Sequence, residues 1–391
     1  MVHKEIEGGP VAGEVSSDSN IDRSTDSLDG TEYEDAGITR PFNPTLIKID
    51  TQQMSLDTLI KRIREKEIDL SPDFQRAEVW GATARSRLIE SLLIRIPLPA
   101  FYMDASDENH WLVVDGLQRL STLRDFVINR TMILQNLEFL TEYHGKGYSD
   151  LPRLYQRRIE ETQVTIYQIG KGTPSDVKFN IFKRINTGGL PLSTQEIRHA
   201  LNQGPVTQYL KLLANSNEFR LATDNSVKDN RMAARECVLR FLAFTITPPS
   251  AYKAGDFDAF LSEAMHQLNK MSELDRTRLA GRFNRALIVS HRVFGKEAFR
   301  KPRSGAARLP VNKALFEVWT VTMDSITDEQ VKIMDASRID VCERISSFMR
   351  KDSDFMNAIS QGTGDTAKVV LRFGRFRKAI EEAIDAAKSA S

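Results

Sequence analysis

The residues best suited to chemistry sit where a strand pattern gives way to a helical one. Trp111, Leu112, Val113 and Val114 read as a buried strand, Asp115 and Gly116 make the turn, and Leu117, Gln118, Arg119, Leu120, Ser121, Thr122 and Leu123 open an amphipathic helix. The first N–H groups of a helix lack internal partners and carry the positive end of its dipole, so such a junction suits phosphate oxygens. Gly116 admits a ligand to the backbone and Arg119 offers a planar fork to a phosphate. Asp115 can hold a divalent cation such as Mg or Mn, or orient a water, while Gln118 adds an amide for a base, a sugar or that water. A competing account gives Asp115 to helix capping and pairs Arg119 with a carboxylate.

Two further clusters carry polar groups of the same kind. Gln75 and Arg76 lie between the aromatic residues Phe74 and Trp80, just ahead of a helix, and either face the same groove as Arg119 or sit on the surface. Arg184, Asn186 and Thr187 precede Gly188 and Gly189 at the end of another helix, where termination accounts for the glycines but not for the polar pair. Glu196, three residues after Ser193, reads as the second half of a capping box rather than as a catalytic acid.

These groups need a scaffold, and the apolar spacing supplies one. Leu56, Leu59, Ile60 and Ile63 predict a helix capped by Ser55; Leu88, Ile89, Leu92, Leu93 and Ile96 predict a second, ended by Pro97 and Pro99. Residues 100–103, 111–114 and 162–169 read as strands. A helix follows, with Thr173 as its cap and Pro174 in its first position. Beyond residue 200 helical spacing dominates. The expected fold class is α+β, with a mixed domain over 45–200 and a mainly helical domain over 201–391.

Composition narrows the field. The chain has 391 residues, 41% hydrophobic and 27% charged, which is globular composition. Residues 1–44 are rich in Ser, Asp, Glu and Gly and read as a disordered acidic tail. The formal charge of the whole chain is only +1, so the remainder is basic. Within that remainder Arg282, Arg285, Arg292, Lys296, Arg300, Lys301, Arg303, Arg308 and Lys313 form a basic stretch suited to a DNA backbone, with Arg300, Lys301, Arg303 and Arg308 the expected contacts, or else a solvated face whose charges pair elsewhere. Two cysteines exclude a disulfide framework and suit the cytoplasm, and no run of apolar residues predicts a membrane span.

In order along the chain, Pro72-Asp73-Phe74-Gln75-Arg76 with Trp80, then Val114-Asp115-Gly116-Leu117-Gln118-Arg119 with Ser121-Thr122-Leu123, then Arg184-Ile185-Asn186-Thr187-Gly188-Gly189 with Glu196-Ile197-Arg198, resemble the GmrSD-type restriction N-terminal domain family (domain of unknown function 262). The resemblance spans roughly 50–200 and implies a ParB/sulfiredoxin-like fold, a role in defence against phage and modified DNA, and nucleotide binding and hydrolysis at an Asp-Gly-Gln-Gln-Arg motif. By this resemblance Asp115, Gly116, Gln118 and Arg119 take that role, with Gln75 and Arg76 beside them; the expected catalytic residues are Asp115, Gln118 and Arg119, the expected metal ligand is Asp115, and the expected nucleotide contacts are Gln75, Arg76, Gly116, Ser121, Thr122, Arg184, Asn186 and Thr187. Leu117 stands where that motif has its first Gln, a change expected to weaken hydrolysis while sparing binding.

Many relatives carry a His-Asn-His nuclease module. The histidines here are His3, His110, His144, His199, His266 and His291, none placed to serve as its base, so a nuclease or defence partner on another chain is expected. The leading expectation is a nucleotide-binding, DNA-associated protein that hydrolyses NTP. The alternatives are a non-catalytic DNA-binding or assembly scaffold, and a nuclease using Asp73, Glu78 and Asp115.

Overall fold

The computed structural model describes residues 31, 47–70, 80–185, 192–253, 256–302 and 308–390. Gln75, Arg76, Asn186, Thr187 and Arg303, together with Asp73 and Glu78, lie outside the described residues.

The α+β part begins with strand β1 (Ile49–Ser55) and helix α1 (Leu56–Arg64), followed by β2 (Ile68–Asp69), α2 (Ala82–Leu93), β3 (Phe101–Asp107) and β4 (His110–Asp115). Then come α3 (Leu117–Leu123), α4 (Arg153–Glu161), β5 (Gln163–Ile169), α5 (Ser175–Ile185) and α6 (Thr194–Leu201). Ser55 caps α1 as its spacing predicts, accepting the Thr58 N–H at 3.3 Å. β1 carries no apolar alternation because it is an edge strand: Ile49, Asp50, Thr51, Gln52 and Gln53 are all exposed. α2 stops at Leu93, earlier than its apolar pattern suggests; Arg95 takes φ +64° and Ile96 emerges half-exposed beyond the helix. Thr173 does not cap α5: the Pro174 carbonyl accepts the Lys178 N–H, and the Thr173 hydroxyl is buried without a hydrogen-bond partner.

The sheet runs β1-β5-β3-β4-β2, with β5 antiparallel to β1 and parallel to β3, and β3 antiparallel to β4. One face packs Phe101, Met103, Trp111, Val113 and Ile166 against α1, α2 and α3 through Leu59, Ile89 and Leu120. The opposite face packs Val114 and Ile169 against Val177, Phe182 and Ile197 of α5 and α6. The sheet is therefore a middle layer, and the C-terminal end of β4 opens at one of its corners.

From Pro205 onward the described residues form helices around an aromatic core that includes Phe244, Phe283, Phe316, Trp319 and Phe376. A buried charge network runs through it. Arg240 donates to Glu236 at 2.7 Å and to Glu317 at 3.5 Å, Lys313 reaches Glu236 at 3.0 Å, and Arg372 donates its Nε to Glu317 at 3.0 Å. The Glu317 and Arg372 side chains are fully buried. Arg198 of α6 joins the two halves by donating to Asp258 at 2.7 Å, the first turn of the helix Phe257–Lys270. Thr31, within the segment that reads as a solvated tail, is buried and forms a β-bridge with Val311 of the helical part. Among the described residues no helix is long and apolar enough to cross a membrane.

Burial alone would raise the Glu236 carboxyl, but Lys313, Arg240 and Arg198 outweigh it and hold it far below the ordinary carboxylate range. A folded-state value depressed in this way stabilises the fold above the unfolded pKa of 4.5 and loses that contribution as pH falls. Urea denaturation followed between pH 7 and pH 3 should show stability falling below about pH 4.5, and Glu236→Gln should flatten this slope while lowering stability at pH 7 by roughly 3–5 kcal/mol.

Candidate functional site

The end of β4 is shaped by one extra residue. Met103 lies opposite Val113 and Tyr102 opposite Asp115, so Val114 is inserted into β4 and the register shifts between the two pairs. Such a bulge bends the strand and re-aims the side chain that follows it. Asp115 thereby comes to lie beside Tyr102, with its side chain one-third exposed. Tyr102 is also opposite Tyr167 of β5, and Tyr167 is opposite Thr51 of β1. The result is a row across four adjacent strands, Thr51, Tyr167, Tyr102 and Asp115, each member at least partly exposed. The two tyrosine rings stack with centroids 4.9 Å apart. Burial, followed by Tyr167 and the Asp115 charge, raises the Tyr102 hydroxyl above its usual range.

Gly116 has a structural reason to be glycine. Its φ of +103° lies in the left-handed region, and a Cβ there would come within 2.4 Å of the Phe101 ring. It is buried against that ring, which replaces the expectation that its missing side chain admits a ligand.

Arg119 likewise departs from the expectation of a phosphate fork. It is buried, with its guanidinium 4.5 Å from the Phe101 ring centroid. It donates to the Pro99 carbonyl, to the Ala100 carbonyl at 3.2 Å, and to Asp115 Oδ2 at 2.9 Å. Burial lowers its pKa and Asp115 works against that shift. Arg119 therefore ties the bulged end of β4 to the chain entering β3, and what it leaves exposed is the Asp115 carboxylate. Asp115 is the open group and Arg119 its support.

Gln118 faces outward enough to meet the first cluster, its Oε1 accepting the Trp80 N–H at 3.4 Å. The third cluster arrives through α5, where Ile185, next to Arg184, packs with Tyr102 against the core that contains Val114. The first two segments thus meet through Trp80 and Gln118, and the third reaches the core on the same face of the sheet as Tyr102. Ser121 and Thr122 do not join them. Both are buried, and the Thr122 hydroxyl donates to the Gln118 carbonyl at 2.7 Å, so their expected nucleotide contacts give way to packing of α3. Glu196 caps α6 with Ser193, as its spacing predicts.

The basic stretch is largely neutralised. Arg282 pairs with Asp324 at 2.5 Å, Arg285 with Asp328 at 2.6 Å, and Arg292 with Asp335 at 2.5 Å. Arg308 reaches Asp224 at 2.7 Å, and Lys296 the same carboxylate at 3.6 Å. Arg300 is buried and donates to the carbonyls of Lys296, Leu309 and Thr223 and to Ser226. Its expected DNA contact is corrected by this burial: the guanidinium organises the chain around it. Lys301 is partly exposed beside it and has interactions of its own.

No group of three or more His, Cys, Asp or Glu side chains that could hold a metal occurs among the described residues. A protein-only cage for Mg or Mn is therefore absent there. Asp115, one-third exposed and paired with Arg119 through Oδ2, would offer its other oxygen to a divalent cation that takes its remaining ligands from water and substrate phosphates, the common arrangement for Mg.

Tyr102 and Tyr167 were not among the expected site residues. Each occupies an alternate position in a strand, which puts it on the face opposite its buried neighbour, but which strands lie side by side is not written in either segment.

The fold and corner define a mixed α+β domain with a polar strand-to-helix turn, joined to a helical body. A family model described as GmrSD restriction endonuclease, N-terminal domain, matches residues 56–202, from the start of α1 to just past α6. No curated protein and no solved structure matches the chain. The matched part is similar to the N-terminal domain of a restriction endonuclease.

Removing the clamp should cost stability before it costs binding. Arg119→Met leaves two carbonyls and Asp115 without their partner and should lower unfolding free energy by about 2–4 kcal/mol, and Gly116→Ala should act in the same direction through Phe101. Urea denaturation of both variants checks this.

Proposed function

We propose that this is a nucleotide-responsive protein of restriction and anti-phage type, in which the corner at the end of β4 binds an NTP through a divalent cation held by Asp115. The observation that carries the reading is the contact of Trp80 with Gln118 beside a strand end whose bulge leaves the Asp115 side chain one-third exposed. Gln118 is the group for the water or sugar in this reading, and Arg184 lies one residue before the end of α5. The loops carrying Gln75, Arg76, Asn186 and Thr187 adjoin these anchors in sequence and complete the site in this reading.

Binding is favoured over turnover. Arg119 is engaged by two carbonyls and Asp115, and Leu117 supplies no amide, so neither is available to stabilise charge developing on a transferred phosphoryl group. The nucleotide then acts as a signal, and cutting of DNA falls to a nuclease partner on another chain. Cys237 and Cys342 are not disulfide-bonded, which suits work in the cytoplasm. DNA is the expected macromolecular partner, with Lys301 and Arg303 the remaining candidates of the basic stretch. A second reading, NTP hydrolysis, keeps Asp115 and Gln118 in the catalytic part.

Calorimetry with NTPs should detect binding that requires Mg or Mn and is lost in EDTA. Asp115→Asn, which retains an oxygen acceptor for Arg119 but not the charge opposite it, should weaken that binding at least tenfold while lowering the melting temperature less than Arg119→Met does. Phosphate release measured with and without DNA separates the two readings. Steady release that Asp115→Asn removes would replace signalling with hydrolysis, and absence of any NTP binding would end both.

A further inference from the structure

The row across the sheet contains two groups that neither the helix turn nor the core explains. Tyr102 and Tyr167 stack on each other beside Asp115, both partly exposed, and neither phenol hydroxyl makes a hydrogen bond among the described residues. Tyrosines whose only role is packing usually bury the ring and satisfy the hydroxyl, as Tyr148 and Tyr252 do here with Glu160 and the Gly364 carbonyl. Tyr102 does pack partly against the core beneath α5 and α6, which fixes its ring, whereas Tyr167 has no such role in that core. Strands held at their usual spacing of about 4.8 Å keep the two rings stacked, with their planes inclined by 27°, without any ligand present.

We infer that Tyr102 and Tyr167 form the shelf on which the base of the bound nucleotide stacks, with its phosphates turned toward Asp115. The inference rests on the nucleotide reading above and adds the part of the ligand that reading leaves unassigned. Three physical points support it. The π-face of any nucleobase stacks on an aromatic ring, so a preformed pair gives affinity without selecting one base. The ring pair is next to Asp115 in the register, so base and phosphate ends of one small ligand fall within a single nucleotide's reach. Thr51, at the far end of the row, supplies a hydrogen-bonding group at the rim of the shelf. A ligand of phosphate alone would use Asp115 and its cation and gain nothing from the tyrosines.

The test compares an NTP with inorganic triphosphate, both with Mg, on the full chain. Tyr167 is the residue to change because its ring is not part of the core that holds α5 and α6, and thermal melting verifies that each variant is folded. On this proposal Tyr167→Ala lowers NTP affinity about tenfold, to near that of inorganic triphosphate, leaves triphosphate affinity unchanged, and Tyr167→Phe binds NTP like the parent protein. Equal NTP affinity in Tyr167→Ala and the parent, with Asp115→Asn defective, would overturn the shelf while sparing the nucleotide site. So would equal affinity of the parent protein for triphosphate and NTP. A parent protein that binds neither would overturn the nucleotide reading, and the shelf with it.

Discussion

A buried guanidinium sets the geometry on which the rest of the corner depends. Arg119 satisfies two carbonyls of the chain entering β3 and one carboxylate at the end of β4, with its flat face over Phe101. A cation held in the interior needs several acceptors at once, because any donor left dry costs about as much as the bond it fails to make. The chain meets that demand by bringing three separate groups to one point. The bulge at Val114, the left-handed Gly116 and the close approach of Phe101 are all parts of the same arrangement.

The same economy recurs through the helical part. Arg198, Arg240, Arg300 and Arg372 are all buried, each with carboxylate or carbonyl partners. Arg300, which reads along the sequence as part of a positively charged surface, is thus an internal tie, while Arg282, Arg285, Arg292 and Arg308 of the same stretch are neutralised by acids from other segments. The Arg198–Asp258 contact extends this to the boundary between the two halves, so that α6, which follows the third polar segment, is fastened to the helical body. A change at the corner that moves α5 or α6 has a direct physical route into the helices through this ion pair.

Much of this was legible in the primary structure. Apolar spacing located α1, α2, β3, β4 and β5, the cap at Ser55, and the Ser193–Glu196 box, because periodicity and capping depend on residues within a few positions of each other. The turn from Asp115 to Arg119 was legible for the same reason: a strand pattern that gives way to a helical one is local. β1 was silent because an exposed edge strand needs no apolar side chains, and the end of α2 was misplaced because Ile96 continues a helical pattern after the backbone has turned.

What each polar residue does was decided only by the fold. Sequence alone determined that Asp115, Gly116, Gln118 and Arg119 stand at a strand-to-helix turn, and that a mixed unit precedes a helical one. The tertiary structure decided that Arg119 points into the protein, that Arg300 does too, and that Tyr102 and Tyr167 lie beside Asp115. Burial and cross-strand neighbours arise from contacts between segments tens of residues apart, and no local pattern of residue types records whether a guanidinium will find its acceptors in solvent or in the backbone of another strand.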